Sequence, residues 1–385
     1  MAHIDSTRRD EPVAEAALPH AEEHAAGPTG LQRALTIAGW TVKFGVSLFL
    51  FVGALQIMKE GAAALDILAK DGFLVRNAGS TLGLGWIGAL FVLSGSPIAA
   101  SALTLVAAGN ITPIEGFTMV TGSRIGAAFV VLLVAVLYAM RGGKGERLKP
   151  VSTAVIALTT TAIVYIPGSI VGYLLLQWGP FQEIDLSFPT QFSDLIDVVY
   201  GPILDRVGDF PPALLFIGGL GILLLAFKLI DNVVPEMSEE KIENSRALMW
   251  LRKKWPMFGL GCLVALVTMS VSVALTVLVP LVTKKYVKRE HIFPYIMGAN
   301  ITTLGDTLLA AFLLNSPEAV RIVLASMVGS TIVSLVYLAF FYPQVRSLIW
   351  RFQRKMVSSK PRLAAFTVGL FLTPLIVIGI SGLLG

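Results

Sequence analysis

Two parts of the chain repeat one pattern at one spacing. Residues 259–272 read GLGCLVALVTMSVS and residues 298–303 read GANITT; in the other half, residues 85–96 read GWIGALFVLSGS and residues 122–127 read GSRIGA. In both halves the first serine of the Ser-x-Ser lies 28 positions before the first glycine of the second motif. We interpret the match as a duplicated membrane unit, in which a binding site is expected where the two copies meet.

The composition is that of an integral membrane protein. Hydrophobic residues make up 55% of the chain and charged residues 14%, against roughly 45–50% and 25% in soluble domains. Several apolar runs reach the roughly 20 residues that cross a bilayer. Lys and Arg cluster beside these runs, as they do in cytoplasmic loops. The net charge of +5 therefore does not indicate nucleic-acid binding.

Few residues offer redox, metal or catalytic chemistry. The single cysteine, Cys262, excludes an intramolecular disulfide, and three of the four histidines lie in the N-terminal tail. We find no grouping of His, Asp and Ser and no metal-ligand spacing, and we predict that the chain is not an enzyme and has no cofactor. Residues 1–33 are rich in Ala, Glu, His and Pro and are predicted to be a disordered cytoplasmic tail.

The loop charges predict how the chain crosses the membrane. They place the N-terminus in the cytoplasm and the C-terminus outside, in a plasma (inner) membrane. The predicted fold is all-α, with about seven crossings and two inverted repeats that each hold a re-entrant helical hairpin and a broken helix. The predicted segments are the tail (1–33), inverted repeat 1 (34–177, hairpin about 82–108), an external loop (178–210), inverted repeat 2 (211–342, hairpin about 256–283), and a basic linker with an extra C-terminal transmembrane helix (343–385).

Each hairpin is predicted from an interruption in an apolar stretch. Gly95 and Pro97 break the stretch 82–108, and a Ser-Val-Ser at 270–272 interrupts the stretch 256–283. The second stretch has basic residues at both ends, which favours a hairpin entering from the cytoplasm, whereas the flanks of the first stretch carry no Lys or Arg. An ordinary kinked span is the alternative at both places.

The interruptions supply polar groups at membrane depth. Broken helices present free N–H groups to anions and free carbonyls to cations, and they persist only where protein or a watery cavity satisfies them. The hydroxyls of Ser94, Ser96, Ser270 and Ser272 are placed to serve either ligand. The alternative is structural, since hydroxyls in apolar spans commonly bond to a carbonyl one turn back or hold helices together.

In these motifs the chain resembles the type II sodium–phosphate cotransporters, including their bacterial members. That family carries two inverted copies of a Gln-Ser-Ser-Ser hairpin, each followed by Gly-Ala-Asn-Ile-Gly-Thr-Thr. The resemblance covers roughly residues 40–345, and GANI at 298–301 is its strongest element. It implies a secondary active transporter of a small inorganic anion, with sodium-coupled phosphate symport as the expected activity and a homodimer in the lipid bilayer as the expected assembly.

The resemblance also implies where the ligands bind. The implied substrate-binding residues are Ser94, Gly95 and Ser96 with Ser270, Val271 and Ser272, and the implied sodium-binding residues are Ser123, Asn300, Thr302 and Thr303. Leu93 and Met269 stand where the family has Gln, and Gly95 and Val271 replace its middle serines. Two alternatives therefore stay open: a divergent member that moves another anion without sodium, and a membrane scaffold or regulator that does not transport.

Two charged residues lie deep in predicted spans. Arg124 stands at the family's first Asn, 176 positions before Asn300, where a charge costs roughly 2.5–3.5 kcal/mol on insertion scales. We predict that Arg124 binds the anionic substrate or replaces a sodium ion by a fixed charge; snorkelling to the interface is the alternative. Asp306 is a candidate ion ligand or a partner of Arg124, and a structural buried pair is the alternative.

Overall fold

The structure, a computed structural model, describes residues 30–63, 75, 77–141, 148–179, 181, 190–233, 253–268, 274–275, 282 and 291–384. The chain divides into two units, Met1–Val42 and Lys43–Gly385, and all contacts below lie within the second. The described residues are almost entirely helical. Their helices are α1 (Gly30–Ala63), α2 (Ala78–Val92), α3 (Ser96–Ala107), α4 (Pro113–Ala127), α5 (Phe129–Arg141), α6 (Leu148–Trp178), α7 (Thr190–Val207), α8 (Pro212–Val233), α9 (Lys254–Thr268), α10 (Ile292–Thr302), α11 (Gly305–Leu313), α12 (Pro317–Ala339), α13 (Tyr342–Val357) and α14 (Lys360–Leu384).

Seven stretches of the described residues are long and apolar enough to cross a membrane, which agrees with the predicted number of crossings. Five of them are single helices: α1, α6, α8, α12 and α14. The other two are the pairs α4–α5 and α10–α11, whose apolar stretches contain 25 and 22 residues. Helices α2, α3 and α9 are also apolar but shorter. This set of helices is that of an integral membrane protein.

A break of three residues separates α2 from α3. Helix α2 ends before Leu93, which has the left-handed φ of 57°, and α3 begins at Ser96 with Pro97 in its first turn. Proline is favourable there because the first turn of a helix does not use its N–H groups. The interruption predicted near Gly95 is confirmed, and its helices span residues 78–107. The second predicted interruption, at Ser270, Val271 and Ser272, lies outside the described residues.

Two helix pairs carry the sequences GSRIGA (122–127) and GANITT (298–303). Both pairs are broken. Helix α4 gives way to α5 at Ala128, and α10 gives way to α11 at Thr303 and Leu304. The sequence analysis predicted a broken helix in each half, and each of these two stretches contains a break. Breaks within a membrane-length stretch bring helix ends, with their free N–H and carbonyl groups, among buried side chains.

Helix packing repeats at an offset of 176 residues. Helices α2 and α9 each contain 15 residues, and their first residues, Ala78 and Lys254, are 176 positions apart. In each half two glycines bring helices so close that a Cβ atom would lie 2.0–2.1 Å from a carbonyl oxygen, so only glycine fits. The pairs are Gly85 with Met119 and Gly122 with Leu82, and then Gly261 with Tyr295 and Gly298 with Phe258. Every member of the second set lies 176 positions after its counterpart.

Two helices lie in the segments that the sequence analysis named an external loop and a basic linker. The predicted external loop contains α7, whose Tyr200 donates a 2.8 Å hydrogen bond to the carbonyl of Phe49 in α1. The predicted basic linker is α13, which buries Val345 and Ile349 on one face. Counting charges showed that both segments are polar, but it overlooked apolar residues at helical spacing.

The buried apolar residues that the structure describes form two clusters, and the chain passes between them at both breaks. Ala127 belongs to the first cluster and Ala128 to the second. Ala299 belongs to the second and Leu304 to the first. Buried polar side chains occupy the same places, among them that of Arg124. A polar network therefore lies where the two apolar clusters meet.

Candidate functional site

Arg124 is buried in the last turn of α4. The residue is 1% exposed. Its Nη1 donates to the carbonyl oxygen of Thr303 at 3.5 Å, and its Nη2 donates to the hydroxyl of Thr307. The guanidinium thus lies inside the helix bundle among polar groups. This burial excludes the snorkelling alternative.

Asp306 faces Arg124 from the first turn of α11. Its Oδ1 lies 3.8 Å from Nη2 of Arg124 and accepts a 2.8 Å hydrogen bond from the hydroxyl of Thr307. The hydroxyl of Ser96 and the backbone N–H of Thr307 also face the carboxylate. The predicted contact between the two deep charges is therefore present.

The ion pair is incompletely satisfied. A separation of 3.8 Å is too long for a direct hydrogen bond, so the two groups attract each other only as charges. Nε of Arg124 and Oδ2 of Asp306 are buried and have no hydrogen-bond partner within the residues that the structure describes. Most buried polar atoms have one. Two unsatisfied atoms in one contact mark a place where a polar ligand would gain hydrogen bonds.

The break between α2 and α3 packs against the turn that carries Arg124. A Cβ atom on Gly95 would lie 2.8 Å from the carbonyl oxygen of Ser123. Ser96 is buried, and Ser94 is half-buried. The structure therefore brings Gly95, Ser96, Arg124 and Asp306 together.

Helix ends support each charge separately. The N-terminal ends of α3 and α11 both adjoin the carboxylate of Asp306, and helix N-termini favour negative charge. The carbonyl of Thr303, just after the C-terminal end of α10, faces Arg124, and helix C-termini favour positive charge. Each member of the pair thus has partners other than its opposite charge.

Helix α6 adds two residues that the sequence analysis missed. The hydroxyl of Tyr165 donates to the carbonyl oxygen of Asn300, and Nδ2 of Asn300 donates to the hydroxyl of Thr161 at 3.1 Å. The hydroxyl of Thr303 also donates a hydrogen bond to the backbone carbonyl oxygen of Asn300, at 3.2 Å. The available signal was the run of three threonines at 159–161 within an apolar span.

Two predicted ion-binding residues donate their hydroxyls to backbone carbonyls. Thr302 donates to the carbonyl of Cys262 in α9 at 2.9 Å, and Ser123 donates to the carbonyl of Val120 at 2.7 Å. These are the bonds that the structural alternative expects. Within the described residues no group of three or more His, Cys, Asp or Glu could hold a metal ion.

No protein-family model, curated protein or solved structure matches the chain. What this site can do therefore follows from its own chemistry.

Proposed function

We propose that the chain is a secondary active transporter of a small inorganic anion, with phosphate as the first candidate. The observation that carries the proposal is Arg124, a guanidinium buried at 1% exposure whose Nε has no partner among the described residues. A buried arginine at membrane depth is expensive and normally serves a ligand or a charge partner. Its planar fork of donors suits an oxyanion such as phosphate.

We propose further that two inverted repeats build this transporter. Three observations support them: the glycine crossings that recur 176 positions apart, the matched helices α2 and α9, and the opposite loop charges of the two halves. In this arrangement the break at Ser94, Gly95 and Ser96 is the tip of a re-entrant hairpin. Its predicted counterpart, residues 270–272, lies outside the described residues. The N-terminus is cytoplasmic and the C-terminus external, in a plasma membrane.

In this proposal the anion binds at the breaks in the helices and is carried across the membrane there. Helix ends and hydroxyls at the breaks replace the water that the anion gives up, and Arg124 balances its charge. The core that carries the hairpins moves in an elevator-like or rocking motion, so that the site opens to each side in turn. The break between α10 and α11, which adjoins Arg124 through Thr303, belongs to the moving core.

Sodium is the coupling ion that the family resemblance implies, and in this proposal it binds oxygens of the second half. A second version moves the anion without sodium. The observation that favours it is the buried guanidinium of Arg124, which puts a fixed positive charge at the position that corresponds to Asn300. That charge repels a sodium ion from the first half.

Uptake of radiolabelled phosphate into proteoliposomes tests the proposal. Vesicles that contain the protein should accumulate more label than empty vesicles, with an inward sodium gradient or without one. A rise with sodium supports symport, and equal uptake supports the sodium-free version. Uptake equal to that of empty vesicles under both conditions would leave the non-transporting scaffold or regulator as the better account.

A further inference from the structure

The pairing of Arg124 with Asp306 suggests how the empty carrier returns. We propose that Asp306 is an internal substitute for the transported anion. Its carboxylate balances Arg124 while the site is empty, and an arriving anion binds the N–H donors of the guanidinium in its place. The inference rests on the proposed anion transport and adds a positioning role for Asp306 in the transport cycle.

The contact balances charge but leaves donors of Arg124 free for an anion. At 3.8 Å the two side chains attract each other without sharing a hydrogen bond. The Nε donor of Arg124 is unused within the described residues. An oxyanion can therefore bind the guanidinium before any direct hydrogen bond between the two residues has to break. Arg124 keeps its position. Its charge still attracts Asp306 while its N–H groups donate hydrogen bonds to the anion.

Asp306 keeps its position when the anion binds. Its carboxylate accepts a hydrogen bond from Thr307, faces Ser96 and lies at the N-terminal end of α11. The other end of α11 is fixed as well. The carbonyls of Leu313 and Leu314 accept bonds from Gln56, at 3.0 Å, and Lys59, at 3.3 Å. The carboxylate therefore remains in position to pair with Arg124 again once the anion leaves.

Among the residues that the structure describes, few charges other than this pair reach the site. Helix α3 carries no ionisable side chain, and Asp306 is the only one on α11. The charged residues of α12, Glu318 and Arg321, line a separate cavity with Gln177. The hydroxyl of Tyr165 in α6 lies near the pair and donates a hydrogen bond to the backbone carbonyl of Asn300. Among the described residues that face the site, Asp306 alone supplies the negative charge that can stand in for the anion.

A neutral pair lets the empty site cross the membrane. A carrier whose site holds an uncompensated arginine at membrane depth meets a large energy barrier. With Asp306 present the empty site is balanced, so the carrier can return without cargo. The wild-type site gains the negative charge of the anion on loading, and the cation of the proposed symport balances it. Without the carboxylate, only the site that holds the anion is balanced, and one anion must be exchanged for another.

The variant Asp306→Asn tests this role by comparing two transport modes. In exchange, vesicles loaded with unlabelled phosphate take up labelled phosphate; in net uptake, the vesicles begin without phosphate. Wild type should carry out both modes. Asp306→Asn should keep exchange but lose net uptake by about tenfold or more, and it should bind phosphate about tenfold more tightly because the competitor is gone. Asp197→Asn, an exposed change in α7, is the matched control and should behave as wild type.

The outcomes separate the two proposals. Absence of both modes in wild type would remove the proposed function and this inference with it. Normal exchange and normal net uptake in Asp306→Asn would overturn only the role of Asp306. If Asp306→Asn does not fold, Asp306→Glu decides, because it retains the carboxylate. It should keep the wild-type ratio of net uptake to exchange, and a loss of net uptake alone would overturn the inference.

Discussion

Replacing Arg124 by leucine is expected to destabilise the folded protein by about 3–5 kcal/mol, the usual result of breaking a buried ion pair from one side. The change leaves the carboxylate of Asp306 at 3% exposure without the cation that lies 3.8 Å away. Replacing both residues by leucine should recover most of the loss, because apolar pairs often match buried ion pairs in stability. Thermal unfolding in detergent measures both effects.

The control for these single and double leucine variants is Arg351→Leu, a change at an exposed position in α13. It should alter stability by no more than about 0.5 kcal/mol, as surface substitutions usually do. If the single and double leucine variants were equally unstable, the two charges would not be energetically coupled. The contact between α4 and α11 would then be a packing contact only.

The second large effect is expected from Gly261→Ala in α9. A Cβ atom there would lie 2.0 Å from the carbonyl oxygen of Tyr295, which is backbone and cannot rotate away. Overpacking of this kind costs about 1–3 kcal/mol, and we expect the upper end, with less folded protein recovered from membranes. Gly85→Ala, at the equivalent crossing, should have the same effect because its Cβ would lie 2.1 Å from the Met119 oxygen.

The matched control for Gly261→Ala is a change at Gly259, two residues earlier in α9. Nothing lies within 4 Å of a Cβ atom on Gly259. Gly259→Ala should therefore be neutral, or stabilising by about 0.5–1 kcal/mol through better helix propensity. The comparison is made by thermal unfolding of the purified variants. Equal midpoints for Gly259→Ala and Gly261→Ala would contradict the close crossing, and with it the packing that supports the repeat.

The sequence carried enough information to place the membrane-length stretches and one break. Apolar runs, Gly and Pro act locally, so the stretches and the interruption at Gly95 could be predicted. The contact between Arg124 and Asp306 could also be anticipated, because two opposite charges at depth need partners. The offset of 176 was visible in the motifs and recurs in the glycine crossings.

Other parts of the site depend on information that a linear pattern lacks. Tyr165 bonds to Asn300 across 135 positions, a pairing that only the packing of α6 against α10 creates. Ser123 and Thr302 showed the right chemistry at the right depth, but depth does not fix which way a side chain points. In the structure both hydroxyls bond to helix carbonyls.

The central claim is that Arg124 binds the transported anion, and equilibrium binding of radiolabelled phosphate to the purified protein tests it most directly. Wild type, Arg124→Lys and Arg351→Lys are compared in the same detergent. Lysine keeps the charge but loses the planar fork. The account predicts equal affinity for wild type and Arg351→Lys, and affinity at least about tenfold lower for Arg124→Lys. One shared dissociation constant for all three proteins would contradict it.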